Sequence, residues 1–415
     1  MNFLKEESQK SIDKLYNATS KNLKNKKFSE QIIMKNPFLK QNKKISIDKD
    51  RIDNKKSRFN ISSNLTNKNI NSDINIKNIL NSKIGLINLD NTCYMNSALQ
   101  IILHTDVFIN KLIEYKNPFI DNITNMLINM ALDIVKIGDK DENAYFIKSY
   151  SPSKFRDSFV KLHSIFNMGQ QDSIEFIRFI LSDISKETNK SDSNYQEFIY
   201  TDLSKNLLSK NFHENFLNYE NSIITDIYYV QLINIFTCSC GKESFSFQKL
   251  LDIPLLIPTN CRNITLKKLI ENFLLEIRVN LNDSCLKCHK KKENIKKQIK
   301  FDILNEIIIF SLQRIDPVQS IKNTSFIEYY EFIDLKSFID DKIKINTTTY
   351  KLFATIHHNG SINSGHYYSV INLDNEWVEF NDSNVYPLEN IDFNSQNVCV
   401  LFYRRNLDNS NILYN

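Results

Sequence analysis

The sequence changes from helix-like to strand-like patterning near Ile223. Before that point, apolar residues recur at the three- and four-residue spacing of an amphipathic helix. Two stripes show this spacing: Met95, Ala98, Leu99, Ile102 and Leu103, and then Ile174, Ile177, Leu181 and Ile184. Later runs such as IIIFSL, YKLFATIHH and GHYYSVINL are rich in β-branched and aromatic residues. Helices followed by strands predict an α+β fold with a mostly antiparallel sheet and the helices on one side of it.

Residues 1–83 differ in charge and composition from the rest of the chain. They carry 19 Lys and Arg against 8 Asp and Glu, a net charge of +11, whereas residues 84–415 carry 34 against 40, a net charge of −6. The segment is rich in Asn, Lys and Ser and lacks sustained apolar periodicity, so we expect a disordered basic extension. Charged runs of this kind are usually solvated, and we expect no nucleic-acid partner.

The patterns also favour an intracellular protein. The first residues, MNFLKEESQKSIDK, lack the apolar core of a secretory signal, and no apolar run has the length of about 18 residues that a membrane span needs. Seven cysteines, an odd number, suit catalysis or metal binding better than a disulfide framework. We therefore expect reduced thiols and no membrane partner, while the oligomeric state is not defined by the sequence.

Cys93 stands where an apolar helix begins. Asn91 or Thr92 is a suitable N-cap, which places Cys93 in the first helical turn. There a thiol lies beside unpaired N–H groups and the positive end of the helix dipole, and both favour the thiolate. The position is typical of a nucleophile, and the alternative is a small, buried apolar residue.

A thiolate that attacks a carbonyl needs a base, a group that orients the base, and donors for the oxyanion. His366 stands where a loop enters a strand, so its imidazole can face a cleft. Asn381 and Asp382 end the next strand, EWVEFND, and a hairpin can bring either of them to the His366 ring. Position alone leaves both choices open, and a purely structural role for His366 as well.

Motifs in the order of one known family run through the body of the chain. GLINLDNTCYMNSALQ resembles the cysteine box of the ubiquitin-specific proteases, which are papain-like deubiquitinating enzymes, and NMGQQDSIEF resembles their Gln-Gln-Asp motif. HNGSINSGHYY and EWVEFNDSNVYPLE resemble their histidine box, and NVCVLFYRR resembles their closing strand. The resemblance implies a papain-like catalytic domain at 84–405, followed by a tail at 406–415. Within the domain it implies a helical thumb at 84–222, β-rich fingers at 223–300 and a palm at 301–405.

By this resemblance Cys93 is the nucleophile, His366 is the general base and then acid, and Asn381 orients His366. Asn88 would donate its amide to the oxyanion beside the backbone N–H of Cys93, and Asp382 is the rival for the task of Asn381. An Asn suffices there because a Cys–His pair already resembles an ion pair, so only the ring orientation has to be fixed. The reaction would pass through a thioester that water resolves, without a cofactor.

The resemblance implies ubiquitin and ubiquitinated proteins as partners, because the family cleaves after the C-terminal Gly-Gly of ubiquitin. The ubiquitin tail carries arginines, for which Asp172 and Glu175 are candidate contacts. The same two residues also fit a helix capping box. His358, in a loop similar to the family's blocking loop, would fold over the tail. The matching motifs add three tail-binding candidates: Gln171, Gly365 and Tyr367.

Two cysteine pairs lie near the ends of a strand-like segment, where the family carries a four-cysteine zinc site. Cys285 and Cys288 have good C-x-x-C spacing, whereas Cys238 and Cys240 are one residue closer, as C-x-C. The tighter pair leaves two interpretations: a structural zinc site, with His289 or a shifted backbone as compensation, or a metal-free finger.

The chain departs from the family at Asp90, where the family usually has Gly. An acid three residues before the nucleophile raises the pKa of its thiol if the two lie close together. Two further functions stay open. One is a catalytically impaired ubiquitin-binding or scaffold module with the same fold, and the other is a protease for another ubiquitin-like modifier.

Overall fold

The structure of the protein is a computed structural model. It describes residues 76–406 except for 116–121, 140–148, 168, 195, 199, 201–202, 260, 316–320, 341–346 and 362–363. Most of the predicted basic extension, residues 1–75, and all but the first residue of the predicted tail lie outside the described residues. The described fold begins earlier than the predicted boundary at Ile84, because Ile76–Leu80 is a helix whose Ile79 is buried.

The described residues form nine α-helices and seventeen strands. Helices α1 to α9 span Ile76–Leu80, Cys93–Leu103, Asp106–Tyr115, Ile123–Asp139, Ser153–Leu162, Ser173–Thr188, Lys205–Leu217, Ile223–Ile227 and Leu266–Phe273. Strands β1 to β8 span Gly85–Leu86, Ser149–Tyr150, Val230–Thr237, Glu243–Leu250, Ile253–Leu256, Asn263–Thr265, Ile277–Val279 and Ile295–Ile303. Strands β9 to β17 span Ile307–Gln313, Phe326–Glu328, Phe332–Asp334, Thr349–Gly360, Gly365–Leu373, Glu376–Asn381, Asn384–Leu388, Asn394–Ser395 and Val398–Arg405.

Helices dominate the first half, as the apolar stripes predict. Helix α2 is buried along its whole length and packs against α6 and β13. Aromatic side chains fill the space between α2, α5 and α6, where the rings of Tyr94, Phe159 and Phe166 all contact Phe176. Among the described helices, none combines the length and the apolar character that a membrane crossing requires.

The second half is dominated by an eight-stranded sheet. Its order is β15-β14-β13-β12-β17-β9-β5, and β11 pairs with β12. All pairings are antiparallel except that of β5 with β9, so the predicted mostly antiparallel α+β fold is confirmed. Helix α9 and strands β5 and β9 contribute to the same apolar core through residues such as Leu269, Leu255 and Phe310.

A separate four-stranded sheet has the order β4-β3-β8-β7. Helix α7 packs on it through Leu208, which lies in a cluster with Ile233, Ile235 and Phe247. The range 223–300 predicted for the fingers contains most of this sheet, and the last strand of the sheet, β8, ends at Ile303. Strand β5 falls inside that range and pairs with β9 of the larger sheet, because its apolar residues complete the core there.

Candidate active site

Cys93 is the first residue of α2 and is 2% exposed. The loop before it turns through Asp90 and Asn91, whose φ angles of 58° and 62° lie in the left-handed region. Thr92 occupies the N-cap position, but its hydroxyl accepts from the Leu89 N–H instead of capping the helix. The predicted helix start is confirmed, and the loop rather than a side-chain cap sets the approach of the chain.

The environment of the Cys93 thiol raises its pKa. Burial is the largest cause and raises it, and the charge of Asp382 raises it further. The backbone N–H groups of Tyr367, Tyr94 and Cys93 itself act in the opposite direction. The predicted effect of the helix start is therefore present, but burial outweighs it.

The conditional prediction for Asp90 concerns a residue that is exposed in the structure. The carboxylate that raises the pKa of Cys93 is that of Asp382. The left-handed φ of Asp90 supplies a physical reason for the family's Gly at this position, since Gly adopts that conformation without steric cost.

The β13–β14 hairpin brings His366 and Asn381 together. The Nε2 atom of His366 lies 2.7 Å from Oδ1 of Asn381, a normal hydrogen-bond distance. The nearest carboxylate oxygen of Asp382, the rival candidate, is 3.9 Å from the same nitrogen. Asn381 is therefore the direct partner of the His366 ring. Since Nε2 contacts Asn381, Nδ1 is the nitrogen that remains for a reacting group.

Asp382 instead holds the loop that leads to Cys93. Its carboxylate accepts from the side-chain amide of Asn88 over 2.7 Å and from that of Asn96 over 2.8 Å. Its carbonyl accepts from the Leu86 N–H over 2.8 Å. Gly85 permits this close approach, because a Cβ atom there would lie 2.3 Å from the Ser383 carbonyl oxygen. One residue of the hairpin thus anchors three points of the loop and of α2.

Asn96 was missed by the sequence reasoning. It lies three residues after Cys93 and is 2% exposed. Its amide donates to Asp382 and to the carbonyls of Leu86 and Ile87. An Asn within the apolar face of a helix is a signal that was available, since a buried amide needs hydrogen-bond partners.

The candidate tail-binding residues Gln171, Asp172 and Glu175 lie at the start of α6. Asp172 is the N-cap, and its Oδ1 accepts from the N–H groups of Ile174 and Glu175. The capping interpretation of Asp172 is confirmed. Burial raises the pKa of its carboxyl group, while the two N–H groups lower it.

His358, Gly365 and Tyr367 pack together at the β12–β13 hairpin. The His358 ring lies 4.4 Å from the Tyr367 ring, and burial followed by the charges of Lys322 and His366 lowers its pKa to about 4. A Cβ atom on Gly365 would lie 2.1 Å from Nε2 of His358, so only Gly fits beneath that ring. The hydroxyl of Tyr367 interacts with the backbone N–H of Ser173, which joins the hairpin to α6.

The four predicted metal ligands converge at the end of the four-stranded sheet. The Sγ atoms of Cys238, Cys240, Cys285 and Cys288 all lie within 4.8 Å of one another. Two sulfur–sulfur distances are 3.8 Å, for Cys238 and Cys288, and 3.6 Å, for Cys240 and Cys285. Two sulfurs bound at about 2.3 Å to one tetrahedral zinc would lie about 3.8 Å apart. The donor set and its spacing therefore fit zinc.

Two tight turns present these cysteines. The Gly241 N–H donates to the Cys238 carbonyl over 2.9 Å. The φ of 80° at Gly241 lets the β3–β4 turn close directly after Cys240, although only one residue separates Cys238 from Cys240. His289 similarly takes a φ of 57° and donates its N–H to the Cys285 carbonyl. The cluster therefore forms from both cysteine pairs, and His289 shapes a turn. The N–H groups of Cys288 and Lys287 lower the pKa of Cys285 to about 6.

The chain is similar to known proteins over most of its length. The family model described as "Ubiquitin carboxyl-terminal hydrolase" matches residues 84–403. Ubiquitin carboxyl-terminal hydrolase 4 of Saccharomyces cerevisiae is 28% identical over 376 residues, which are 79% of this chain and 39% of that protein. Ubiquitin carboxyl-terminal hydrolase 2 of Bos taurus is 28% identical over 340 residues, 77% of this chain and 54% of that protein. The chain thus spans about half or less of the length of these relatives.

Solved structures share the fold. The SAGA module of Ubp8, Sgf11, Sus1 and Sgf73 bound to monoubiquitin matches with a TM-score of 0.62 and 20% identity, over 80% of this chain and 71% of that chain. The same module bound to ubiquitin aldehyde matches with a TM-score of 0.62 and 19% identity, over 80% and 71%. At this level of identity the likeness shows a papain-like fold and nothing further.

Proposed function

Because the chain belongs to the ubiquitin carboxyl-terminal hydrolase family, we propose that it hydrolyses the peptide or isopeptide bond that follows the C-terminal Gly of ubiquitin. The observation that carries the proposal is the contact of His366 with Asn381 on the β13–β14 hairpin, whose strand β13 packs against the helix that begins at Cys93. The fold alone would suit many functions, whereas a nucleophile on α2 beside a strand that carries a base and its orienting amide partner suits acyl transfer.

In the proposed mechanism, Nδ1 of His366 takes the proton of the Cys93 thiol, and the thiolate attacks the carbonyl carbon of the last Gly of ubiquitin. The carbon–nitrogen bond then breaks, and His366 returns the proton to the departing lysine amine. Water next attacks the thioester with His366 as base, which releases the ubiquitin carboxylate and restores the thiol. Because burial raises the pKa of Cys93, the proton transfer to His366 is a required step.

Asn88 and the Cys93 N–H are the proposed donors to the oxyanion. One hydrogen of the Asn88 amide bonds to Asp382, and its Oδ1 accepts from the Thr92 N–H over 3.0 Å. These two bonds fix the amide plane, so the second hydrogen has a defined direction. A preorganised donor of this kind stabilises developing charge without reorganising during the reaction.

The proposed partner is ubiquitin, with its tail between α6 and the β12–β13 hairpin. Both cap bonds of Asp172 use Oδ1, and its second oxygen is the proposed acceptor for a tail arginine, together with Glu175. His358 would cover the tail, and Gln171 and Tyr367 would border it. The titles of the structural neighbours support this partner, since they contain monoubiquitin and ubiquitin aldehyde.

We also propose a structural zinc at the four-cysteine cluster. Cys238, Cys240, Cys285 and Cys288 would hold it as thiolates and would join the β3–β4 turn to the turn after β7. A zinc with four protein ligands has no open position for substrate, so it contributes folding energy and no step of the reaction. The free state of all seven cysteines suits the intracellular location that we infer.

The proposal is tested by the release of a fluorophore from ubiquitin that carries a C-terminal fluorogenic amide. We expect release by the unmodified chain, with Asn381→Ala slower by about 10²-fold because His366 loses its orienting partner. Ubiquitin that binds without any release would refute hydrolysis and favour a binding module. No binding of ubiquitin, with cleavage of another ubiquitin-like modifier, would refute the proposed substrate.

A further inference from the structure

The side-chain amide of Gln170 bridges two distant parts of the chain. Its Nε2 donates to the Gly365 carbonyl over 2.6 Å, and its Oε1 accepts from the Gly365 N–H over 3.0 Å. Gln170 stands two residues before the α6 N-cap Asp172, and Gly365 is the first residue of β13. One amide therefore satisfies both backbone polar groups of one residue, in the manner of a neighbouring strand.

The sheet leaves this position of β13 without a partner on one side. Strand β14 pairs with β13 from Ser369, opposite Phe380, to Leu373, opposite Glu376. The first four residues of β13, 365–368, extend beyond that pairing. On the other side they pair with β12, where Gly360 faces Gly365. Gln170 thus supplies the missing pairing at the start of a strand edge.

That strand edge carries the groups on which the proposed reaction depends. His366 follows Gly365 directly and contacts Asn381. Tyr367 comes next, on the strand that packs against the helix of Cys93, and its backbone N–H lowers the pKa of the Cys93 thiol. A displacement of Gly365 therefore moves both the base and an N–H group relative to Cys93. Misplacement by about 1 Å in an active site can cost up to about 10²-fold in rate.

We propose that Gln170 is a positioning residue for Cys93 and His366, whose amide acts as a one-residue strand partner that holds the start of β13 against the α6 segment. The inference rests on the proposed function and deepens it. A side-chain amide carries a donor and an acceptor on separate atoms, as the two groups of Gly365 need, whereas a carboxylate accepts but does not donate. The role thus requires Gln rather than a side chain of similar length.

The test compares three variants with the unmodified chain. Gln170→Met keeps the length of the side chain and removes both hydrogen bonds, and Gln170→Glu keeps only the acceptor. Asn167→Ala changes an exposed residue of the same connecting segment and serves as the control. With the fluorogenic ubiquitin amide, we expect kcat to fall about tenfold for both Gln170 variants, with KM changed by less than about twofold. We expect the control to match the unmodified chain.

A second readout does not need ubiquitin. Alkylation of Cys93 by iodoacetamide, followed on the Cys93 peptide by mass spectrometry, gives the pH midpoint of thiol reactivity. We expect Gln170→Met to raise this midpoint, because the Tyr367 N–H is no longer held at the thiol. A shift of the alkylation midpoint in a chain that does not cleave ubiquitin would refute the proposed function and leave the positioning role of Gln170 in place.

Two results would overturn the positioning role of Gln170 itself. One is a Gln170→Met variant with unchanged kcat and an unchanged alkylation midpoint, which would reduce the bridge to a surface contact. The other is a variant with increased kcat/KM, which would mean that the substrate tail has to displace Gln170. Thermal unfolding at the temperature of the unmodified chain shows that the variants are folded, so either result can be interpreted.

Discussion

The molecule contains two kinds of cysteine environment, and they differ in what surrounds the sulfur. Cys93 stands alone at a buried helix start, where burial raises the pKa of its thiol. Cys285 stands in a turn among three other cysteines, and backbone N–H groups lower its pKa to about 6. A metal ligand has to be a thiolate at rest, whereas a nucleophile can remain a thiol until a base takes its proton. Four converging sulfurs therefore suit metal binding, and one isolated thiol at a helix start suits reaction.

Removal of the Cys93 thiol should abolish turnover and leave the four-cysteine region unchanged. Cys93→Ala should lower turnover of the fluorogenic ubiquitin amide by at least about 10⁴-fold, because no other group can form the thioester. The variant should still bind ubiquitin and retain its metal. The matched variant Cys285→Ala removes a thiol from the other region and should leave the nucleophile intact. Residual turnover by Cys93→Ala above the background rate would refute the assignment.

The second effect concerns the partners that a lone nucleophile needs. Asp382→Ala should lower kcat by about 10²- to 10³-fold, because Asn88 loses the acceptor that fixes its amide and the proposed oxyanion donor is no longer preorganised. The expected loss is in kcat rather than KM, and steady-state kinetics measures it. Asp382→Ala with the kinetics of the unmodified chain would show that the carboxylate has no part in the site.

Metal removal should affect the other region first. Chelation, or Cys285→Ala, should release one zinc per chain and speed hydrogen exchange at residues 238–242 and 285–290, since both turns depend on the shared ligand. Exchange within α2 should stay unchanged. The measurements are metal analysis and hydrogen exchange followed by mass spectrometry. Native protein without zinc would contradict the proposed metal site.

The pH dependence of thiol reactivity should differ between the regions. In metal-free protein at pH 7, Cys285 lies above its pKa of about 6 and is mostly thiolate, whereas the raised pKa of Cys93 keeps its thiol protonated. Iodoacetamide should therefore modify Cys285 faster at pH 7, and the rate at Cys93 should increase as the pH rises past 9. Peptide mass spectrometry would follow both rates. Faster modification of Cys93 at pH 7 would contradict the assigned direction of its pKa shift.

The smallest expected effect concerns backbone strain beside the nucleophile. Asp90→Gly should stabilise the fold by about 1 kcal/mol, because Asp90 holds a φ of 58° that Gly adopts freely. Asn91→Gly is the matched variant and should gain less, since Asn tolerates the left-handed region. Denaturant unfolding measures both. A shift of the pH midpoint of Cys93 alkylation in Asp90→Gly would show that the charge of Asp90, and not only that of Asp382, raises the pKa of Cys93.

The sequence was sufficient for features that depend on local pattern. The start of α2 at Cys93 follows from apolar periodicity and an N-cap position, and the approach of His366 to the end of the next strand follows from two strands joined in a hairpin. The β-rich second half and the cysteine pairs are visible in the same way. The family motifs added roles that the residues alone left open.

Features that depend on burial or on distant contacts could not be predicted. The raised pKa of Cys93 comes mainly from burial, which no local pattern measures. The choice between Asn381 and Asp382 depends on which side chain the turn after β14 aims at the ring, and Asp382 turns away with a φ of 52°. Gln170 contacts a residue 195 positions away, which no local pattern indicates. The motif predicts a role for its neighbour Gln171 instead.

Of the seven cysteines, Cys93 alone is proposed to react with the ubiquitin C-terminus. The most direct measurement uses ubiquitin whose C-terminal carboxylate is replaced by a thiol-reactive electrophile. The adduct is digested, and the modified cysteine is identified by mass spectrometry. We predict one ubiquitin per chain, attached at Cys93, in native protein that retains its metal. Attachment at Cys238, Cys240, Cys285 or Cys288, or no adduct from a chain that binds ubiquitin, would contradict the account.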